Sequence, residues 1–217
     1  MIRMENVSKS YRTKGGRKVI LNNQSFEFVK GYSYALMGVN GAGKSTTMRM
    51  LSGSEMPNSG RITKHARISW PLGFTGGLNQ TMSGRENLKF VSRAYGQDWR
   101  RIFEFVAEFA EIGDYINSPV KEYSSGMISR YSFGLSMAIE FECYLVDEIT
   151  SVGDRSFQER CHAAFAARRE FSDIIMVSHD MSTIKDYCDR GLLLIDGQLL
   201  SFDNIEEAIE AYYRLNR

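Results

Sequence analysis

"GVNGAGKS", Gly38 to Ser45, is the stretch that decides the fold of this 217-residue chain. It satisfies the pattern GxxxxGK followed by Ser or Thr, and it lies between the apolar run "YSYALM" and a segment with helix-like apolar spacing. Glycines allow such a loop to bend around phosphate groups so that backbone N–H groups point inward, and the following helix N-terminus adds positive potential. We therefore predict a strand, a phosphate-binding loop and a helix that together bind a nucleotide.

The side chains of this loop predict the cofactors, ATP and Mg²⁺. Lys44 is expected to reach the β- and γ-phosphates and to take part in catalysis, while the Ser45 hydroxyl is expected to ligate Mg²⁺. The residues predicted to contact the nucleotide from this stretch are Gly38, Asn40, Gly41, Gly43, Lys44, Ser45 and Thr46.

The stretch "CYLVDE", Cys143 to Glu148, supplies the second half of the predicted site. A buried apolar strand that ends in Asp147 places a carboxylate beside the phosphate loop, where it is expected to hold Mg²⁺ directly or through water. Glu148 follows on the other face of the strand end and is expected to orient or deprotonate the attacking water. An acidic pair at a strand end is weakly specific by itself, so its catalytic interpretation depends on the phosphate loop.

The rest of the chain alternates between strand-like and helix-like patterns. The run "VILNNQSFEFVKGYSYALMG" predicts strands separated by a turn at Lys30 and Gly31, and residues from about 84 to 117 carry apolar side chains, Phe90 among them, near helical spacing. The last third predicts strand, helix, strand and hairpin, an order that indicates an α/β fold with a parallel sheet covered on both faces. With 43% hydrophobic residues and a net charge of +1, the chain is expected to bury a sizeable core and to bind no nucleic acid.

The pentapeptide "YSSGM", Tyr123 to Met127, has the composition of an N-capped helix start. In the ATP-binding cassette (ABC) family, a signature written LSGGQ lies shortly before the acidic strand, and this sequence resembles it at Ser124 and Gly126. The order along the chain is also that of the family: phosphate loop, helical insert, signature, acidic strand, then "SVGD" and "VSHD". The resemblance covers essentially the whole chain.

This resemblance implies a fold. The implied fold is that of an ABC-type P-loop NTPase, with a RecA-like parallel core and an antiparallel β subdomain. The helical insert forms a subdomain at about residues 84–135, and residues 1–217 form a single ABC ATPase domain.

The resemblance also implies roles for residues outside the phosphate loop. Ser124 and Gly126 would cap the γ-phosphate of a nucleotide held by the other subunit of a head-to-tail homodimer. Tyr11 occupies the place of an aromatic ring that stacks on adenine. Asp154 resembles a loop aspartate that contacts across the dimer, and His179 resembles a histidine that senses the γ-phosphate.

The sequence departs from the family pattern in two places. The signature carries Tyr, Ser and Met at positions 123, 125 and 127, where Leu, Gly and Gln are usual, a change compatible with a lower turnover. Leu72 follows Pro71 where most members have a Gln that touches both magnesium and the membrane partner. Gln80 lies further on, and we assign that role to neither residue.

Within the family, "SWPLGFTGG", "YSSGM" and "FGLSMAIEFECYLVDE" resemble the capsular polysaccharide export ATP-binding proteins of Gram-negative bacteria. This resemblance implies an ATPase that powers export of a lipid-linked polysaccharide through integral membrane permease subunits, which make most of the contact with the polymer. No stretch approaches the roughly 18 apolar residues of a spanning helix. The implied location is therefore peripheral, at the cytoplasmic face of the inner membrane.

Four alternative functions stay open at this point. The same ATPase engine would serve export of O-antigen or teichoic-type glycans, or transport of a small molecule. A non-transport cassette would normally carry two tandem cassettes or a long coiled-coil insertion. A P-loop kinase would lack the signature and "VSHD". Release of ADP without any phosphorylated acceptor would distinguish an ATPase from such a kinase.

Overall fold

A computed structural model describes residues 1–72, 77–147 and 155–215. The chain forms two compact units. The first comprises Met1–Pro71, Phe141–Glu148 and Phe171–Arg217, and the second comprises Leu72–Glu140 and Ile149–Glu170. In chain order, the strands and α-helices are β1 (Ile2–Thr13), β2 (Gly16–Phe28), β3 (Tyr34–Met37), α1 (Lys44–Ser52), β4 (Ser59–Lys64), β5 (Ile68–Pro71), α2 (Gly84–Ala94), α3 (Trp99–Ala110), α4 (Ser125–Ala138), β6 (Cys143–Asp147), α5 (Arg155–Arg169), β7 (Asp173–Val177), α6 (Met181–Tyr187), β8 (Arg190–Ile195), β9 (Gln198–Phe202) and α7 (Ile205–Leu215).

The first unit contains a six-stranded sheet with the strand order β5-β6-β7-β3-β8-β9. The first five strands in this order, β5, β6, β7, β3 and β8, pair in parallel. Strand β9 returns antiparallel to β8 through a two-residue turn at Asp196 and Gly197, both with positive φ. Every residue of β3 is buried, as are Cys143 to Val146 of β6. Such continuous apolar runs are typical of parallel strands covered on both faces, so the predicted α/β core is confirmed.

The same unit contains a three-stranded antiparallel sheet with the order β2-β1-β4. Ile2, Met4 and Val7 of β1 are buried, and Tyr11 pairs with Lys18 across the β1–β2 ladder. The antiparallel sheet predicted beside the parallel core is therefore present, and it carries Tyr11 near the end of its central strand.

The second unit is helical. A capping box of Ser83 and Glu86 begins α2, and Asp98 caps α3. Phe90, which the apolar spacing placed in the predicted helix, does lie in α2, but its side chain is 65% exposed. Its neighbour Leu88 is fully buried and faces the core of this unit. Helical spacing thus predicted the helix correctly without separating its core residues from its surface residues.

Across the three described ranges, no helix is long and apolar enough to cross a membrane. The cysteines, Cys143, Cys161 and Cys188, are buried free thiols. Burial raises the pKa of the Cys161 thiol to about 12, so this group is an inert small hydrophobe at neutral pH.

Candidate nucleotide-binding site

The loop Gly38–Ser45 joins the buried strand β3 to α1 and has a backbone that requires glycine. Gly38, Gly41 and Gly43 have φ angles of 155°, 79° and 115°. A Cβ at Gly38 would lie 2.6 Å from the carbonyl oxygen of Leu194, and one at Gly43 would lie 2.4 Å from Cγ2 of Ile20. The glycines of the GxxxxGK pattern thus have a local physical cause. At Gly38 and Gly43, the positive φ and the neighbouring atoms both exclude a side chain.

Lys44 is the first residue of α1 and is 9% exposed. Its Nζ donates to the carbonyl oxygen of Gly38 at 2.7 Å and to that of Val39 at 3.3 Å, so the ammonium closes the loop on itself. Gly43 precedes the helix and supplies no side chain to cap it, and the first turn contains no acidic residue. The positive end of the helix is therefore directed at the loop, as an anion site requires.

The next two residues differ in exposure. Ser45 is exposed at the first turn of α1, whereas Thr46 is buried and its Oγ1 accepts a hydrogen bond from Nη2 of Arg49 at 3.1 Å. Asn40 is exposed on the loop itself. A hydroxyl at the helix start is thus accessible to a metal ion bound to a nucleotide.

Asp147 lies at the end of β6, partly exposed, two strands from the phosphate loop in the order β6-β7-β3. His179 follows β7, the strand between them, and is exposed. Because these strands are parallel, their carboxyl ends meet at one edge of the sheet, which is where α/β proteins bind ligands. The structure therefore brings the phosphate loop, Asp147 and His179 to the same edge. Glu148 and Asp154 lie outside the described residues.

His179 directly precedes the start of α6. Asp180 is the N-cap of α6, and its carboxylate accepts hydrogen bonds from the N–H groups of Ser182 and Thr183. Hydrogen bonds from the Thr183 and Ser182 hydroxyls, together with these backbone bonds, lower the pKa of Asp180 to about 2. The chain direction after β7 is thus fixed by an ionised cap at neutral pH.

Tyr11, the predicted adenine-stacking residue, lies near the end of β1 with its side chain 37% exposed. Its hydroxyl donates a hydrogen bond to Glu55, and the Lys9 ammonium lies 5.2 Å from the centre of its ring. Sequence reasoning missed Glu55 and Lys9, because neither belongs to a motif and Glu55 lies 44 positions from Tyr11 along the chain.

Ser124 is the N-cap of α4, as predicted, and its Oγ accepts a hydrogen bond from the N–H of Met127 at 3.2 Å. Tyr123, which replaces the usual Leu, is buried and packs edge-on against Tyr131, with ring centres 6.0 Å apart. Tyr123 therefore makes a core contact in this unit. Among described residues, a Cβ at Gly126 would meet Ser124 Oγ at 3.9 Å and no other non-neighbouring atom within 4 Å, so packing in this unit does not demand a glycine there.

A cavity of about 300 Å³ also touches the phosphate loop. Residues 38 to 42 line it, together with Lys18, Tyr212 and the turn at Asp196 and Gly197. Lys44, Ser45, Tyr11 and Asp147 do not line it, so this cavity is not the space in which the predicted catalytic groups converge. The loop, the helix end and the strand edge mark the candidate nucleotide site instead.

A glycine loop between a buried parallel strand and a helix N-terminus, with a carboxylate on the next strand but one, defines a P-loop nucleotide-binding α/β protein. A family model described as ABC transporter matches residues 21–151. The chain is 48% identical to the polysialic acid transport ATP-binding protein KpsT of Escherichia coli over 98% of both chains. It is 44% identical to the ATP-binding protein BexA of Haemophilus influenzae, again over 98% of both.

A solved structure supports the fold. The ATP-binding cassette MJ0796, a dimer in a post-hydrolysis state bound to ADP and Pi, has a TM-score of 0.73 at 19% identity over 94% of this chain and 98% of its own. This chain belongs to the ABC transporter family. The resemblance predicted from the sequence is confirmed, and so is the ATPase class that it implied.

Proposed function

We propose that this chain is the ATP-hydrolysing nucleotide-binding subunit of an ABC exporter that moves a lipid-linked capsular polysaccharide across the inner membrane. The observation that carries the proposal is the 48% identity, over 98% of both chains, to a polysialic acid transport ATP-binding protein. The glycine loop and the buried ammonium of Lys44 support the ATP-dependent part of the function.

The residues at the sheet edge fit ATP with Mg²⁺. The exposed hydroxyl of Ser45 and the carboxylate of Asp147 would hold the ion, because Mg²⁺ prefers oxygen ligands. When bound there, the ion would neutralise charge on the β- and γ-phosphates. Lys44 exchanges its contacts with the loop carbonyls for phosphate oxygens, and the backbone N–H groups at the start of α1 donate to the same phosphates. Glu148 orients the attacking water and His179 senses the γ-phosphate.

Two copies form a head-to-tail dimer in which ATP lies between Lys44 of one copy and Ser124 and Gly126 of the other. Both signature residues are exposed, and the space around Gly126 supports a close approach to phosphate. Asp154 contacts the other copy across the dimer. Because the nucleotide bridges both surfaces, ATP favours the closed dimer by mass action, and loss of the γ-phosphate lets the halves separate.

Residues 1–217 act as one ABC ATPase domain, with the helices of about residues 84–135 as a subdomain. The domain lies peripherally at the cytoplasmic face of the inner membrane, and the permease subunits make most of the contact with the polysaccharide. Leu72 is buried and apolar, so it offers no polar group to magnesium or to the membrane partner. Gln80 is exposed, and its role stays unassigned.

The test is deletion of the gene in its native host, followed by fractionation and immunostaining of the long-chain surface polysaccharide. We expect the polymer to accumulate inside the cell. Wild-type protein and the exposed-lysine control Lys14→Ala should restore export, whereas Lys44→Ala should not. Normal surface polymer in the deletion strain would contradict glycan export and leave small-molecule transport as the function of the ATPase.

A further inference from the structure

Glu55 lies at the centre of a charged cluster beside Tyr11, in the segment between α1 and β4. Its Oε1 accepts the hydrogen bond from the Tyr11 hydroxyl and lies 2.7 Å from Nζ of Lys9. Its Oε2 lies 3.0 Å from Nε of Arg49. One carboxylate thus contacts a strand tyrosine and two cations from different elements.

The segment that carries Glu55 is itself fixed to β1. Lys9 donates from Nζ to the carbonyl oxygen of Met56 at 2.7 Å, and the N–H of Asn58 donates to the Ser8 carbonyl at 2.8 Å. The N–H of Ser10 donates to Oδ1 of Asn58 at 2.6 Å. The N–H of Glu55 itself donates to the Arg49 carbonyl at 3.2 Å. Because the backbone is tied at Glu55 and just after it, the carboxylate reaches Tyr11 from a defined position.

The charges in the cluster depend on one another. Lys9 is 9% exposed, and a buried ammonium is costly without an anionic partner. Burial by itself raises the pKa of Glu55, but hydrogen bonds from Lys9, Tyr11 and Arg49 outweigh it and lower the pKa to about 2. The carboxylate is therefore ionised at neutral pH and accepts the tyrosine hydrogen bond as an anion.

The cluster also reaches the phosphate loop. Arg49 contacts Glu55 through Nε and donates from Nη2 to Oγ1 of Thr46, at 3.1 Å. Arg49 and Thr46 belong to α1, the helix that begins at Lys44. A continuous chain of contacts therefore runs from the exposed tyrosine ring through Glu55 to the helix at the phosphate site.

We propose that Glu55 is a positioning residue that fixes the Tyr11 ring where the base of the nucleotide stacks on it. The inference rests on the proposed function, in which Tyr11 contacts adenine. A partly exposed tyrosine has several accessible rotamers, and the charged hydrogen bond selects one of them before the nucleotide arrives. This preorganisation strengthens base stacking without touching the reacting phosphate.

The experiment compares Glu55→Ala with Tyr11→Phe, which keeps the ring and removes only the hydroxyl. In the purified full chain, each variant should raise KM for ATP about three- to tenfold while kcat changes less than about twofold, since only part of the stacking is lost. The double variant should be no worse than the more severe single variant, because both remove the same hydrogen bond. Glu5→Ala, which breaks the exposed Arg3–Glu5 pair on the same strand, is the control and should leave KM unchanged.

Calorimetric titration with Mg²⁺-ATP and with Mg²⁺-tripolyphosphate separates positioning from general damage. Positioning of the ring predicts weaker binding of ATP and unchanged binding of tripolyphosphate, which has no base. An equal loss for both ligands, or an unchanged KM in Tyr11→Phe, would overturn the inference even though the wild-type chain hydrolyses ATP. A wild-type chain that neither binds nor hydrolyses ATP would overturn the proposed function and this inference with it.

Discussion

Nη2 of Arg160 lies 2.6 Å from Oε2 of Glu111, and Nη1 of Arg130 lies 3.1 Å from the same oxygen. Glu111 is the C-cap of α3, Arg130 lies on α4 and Arg160 lies on α5. Both guanidinium groups also lie over the ring of Phe157, at 4.8 Å for Arg130 and 5.5 Å for Arg160. One carboxylate therefore links three helices of the second unit, including the helix that begins at the signature.

Replacing Glu111 by Gln should lower the melting temperature by about 2–4 °C at neutral pH, since a bridging carboxylate is lost from a partly exposed site. Hydrogen bonds from Arg160 lower the pKa of Glu111, so its stabilisation is present above the unfolded pKa of about 4.5 and is lost as pH falls further. The difference from wild type should therefore shrink in acid. Glu104→Gln, at an exposed position of the same helix, is the control for scanning calorimetry.

The stabilising contribution of Glu55 should also depend on pH. Its folded pKa of about 2 lies below the ordinary value of 4.5, so ionised Glu55 stabilises the fold above pH 4.5. This contribution is lost as pH falls from about 4.5 to 2. Melting temperatures of wild type and Glu55→Ala should differ most at pH 6 and converge near pH 2. A difference that grows in acid would show that the carboxylate is not held as an anion.

Contacts between neighbours in the sequence were predictable, and contacts between distant residues were not. The glycine loop, the Ser124 cap and the strand ending at Asp147 each depend on a few consecutive residues, so their patterns are visible in the sequence. Glu55 meets Tyr11 across 44 positions and Glu111 meets Arg160 across 49, and no local pattern marks either pair. Such contacts depend on which segments the tertiary fold brings together.

Gly43 should tolerate no side chain. Alanine there would clash with Ile20 and would have to adopt a φ of 115°, a strain on the order of 1–3 kcal/mol or more. We expect Gly43→Ala to weaken ATP binding by at least about tenfold, because relief of this strain moves the phosphate loop. Calorimetric titration with Mg²⁺-ATP measures the effect. Wild-type affinity in this variant would show that the loop conformation is not needed for binding.

Gly126 should behave in the opposite way. Alanine there fits the space left by the described residues and favours the helix by up to about 1 kcal/mol, so the melting temperature should stay the same or rise. Turnover should nevertheless fall about tenfold or more, because the added methyl group would obstruct the nucleotide that the proposed dimer holds on the other copy. ATP hydrolysis at several protein concentrations tests this. Unchanged turnover would mean that the signature does not approach the nucleotide so closely.

Glu148→Gln tests the dimer itself. Removal of the proposed general base should slow hydrolysis by about 100-fold or more while leaving ATP binding intact. The uncleaved nucleotide should then hold two copies together, so light scattering with ATP and Mg²⁺ should report twice the monomer mass, and ADP should not. Glu159→Gln, at an exposed position of α5, is the matched control and should hydrolyse ATP at the wild-type rate. If Glu148→Gln binds ATP and stays monomeric, nucleotide is not part of the interface and the head-to-tail arrangement is wrong.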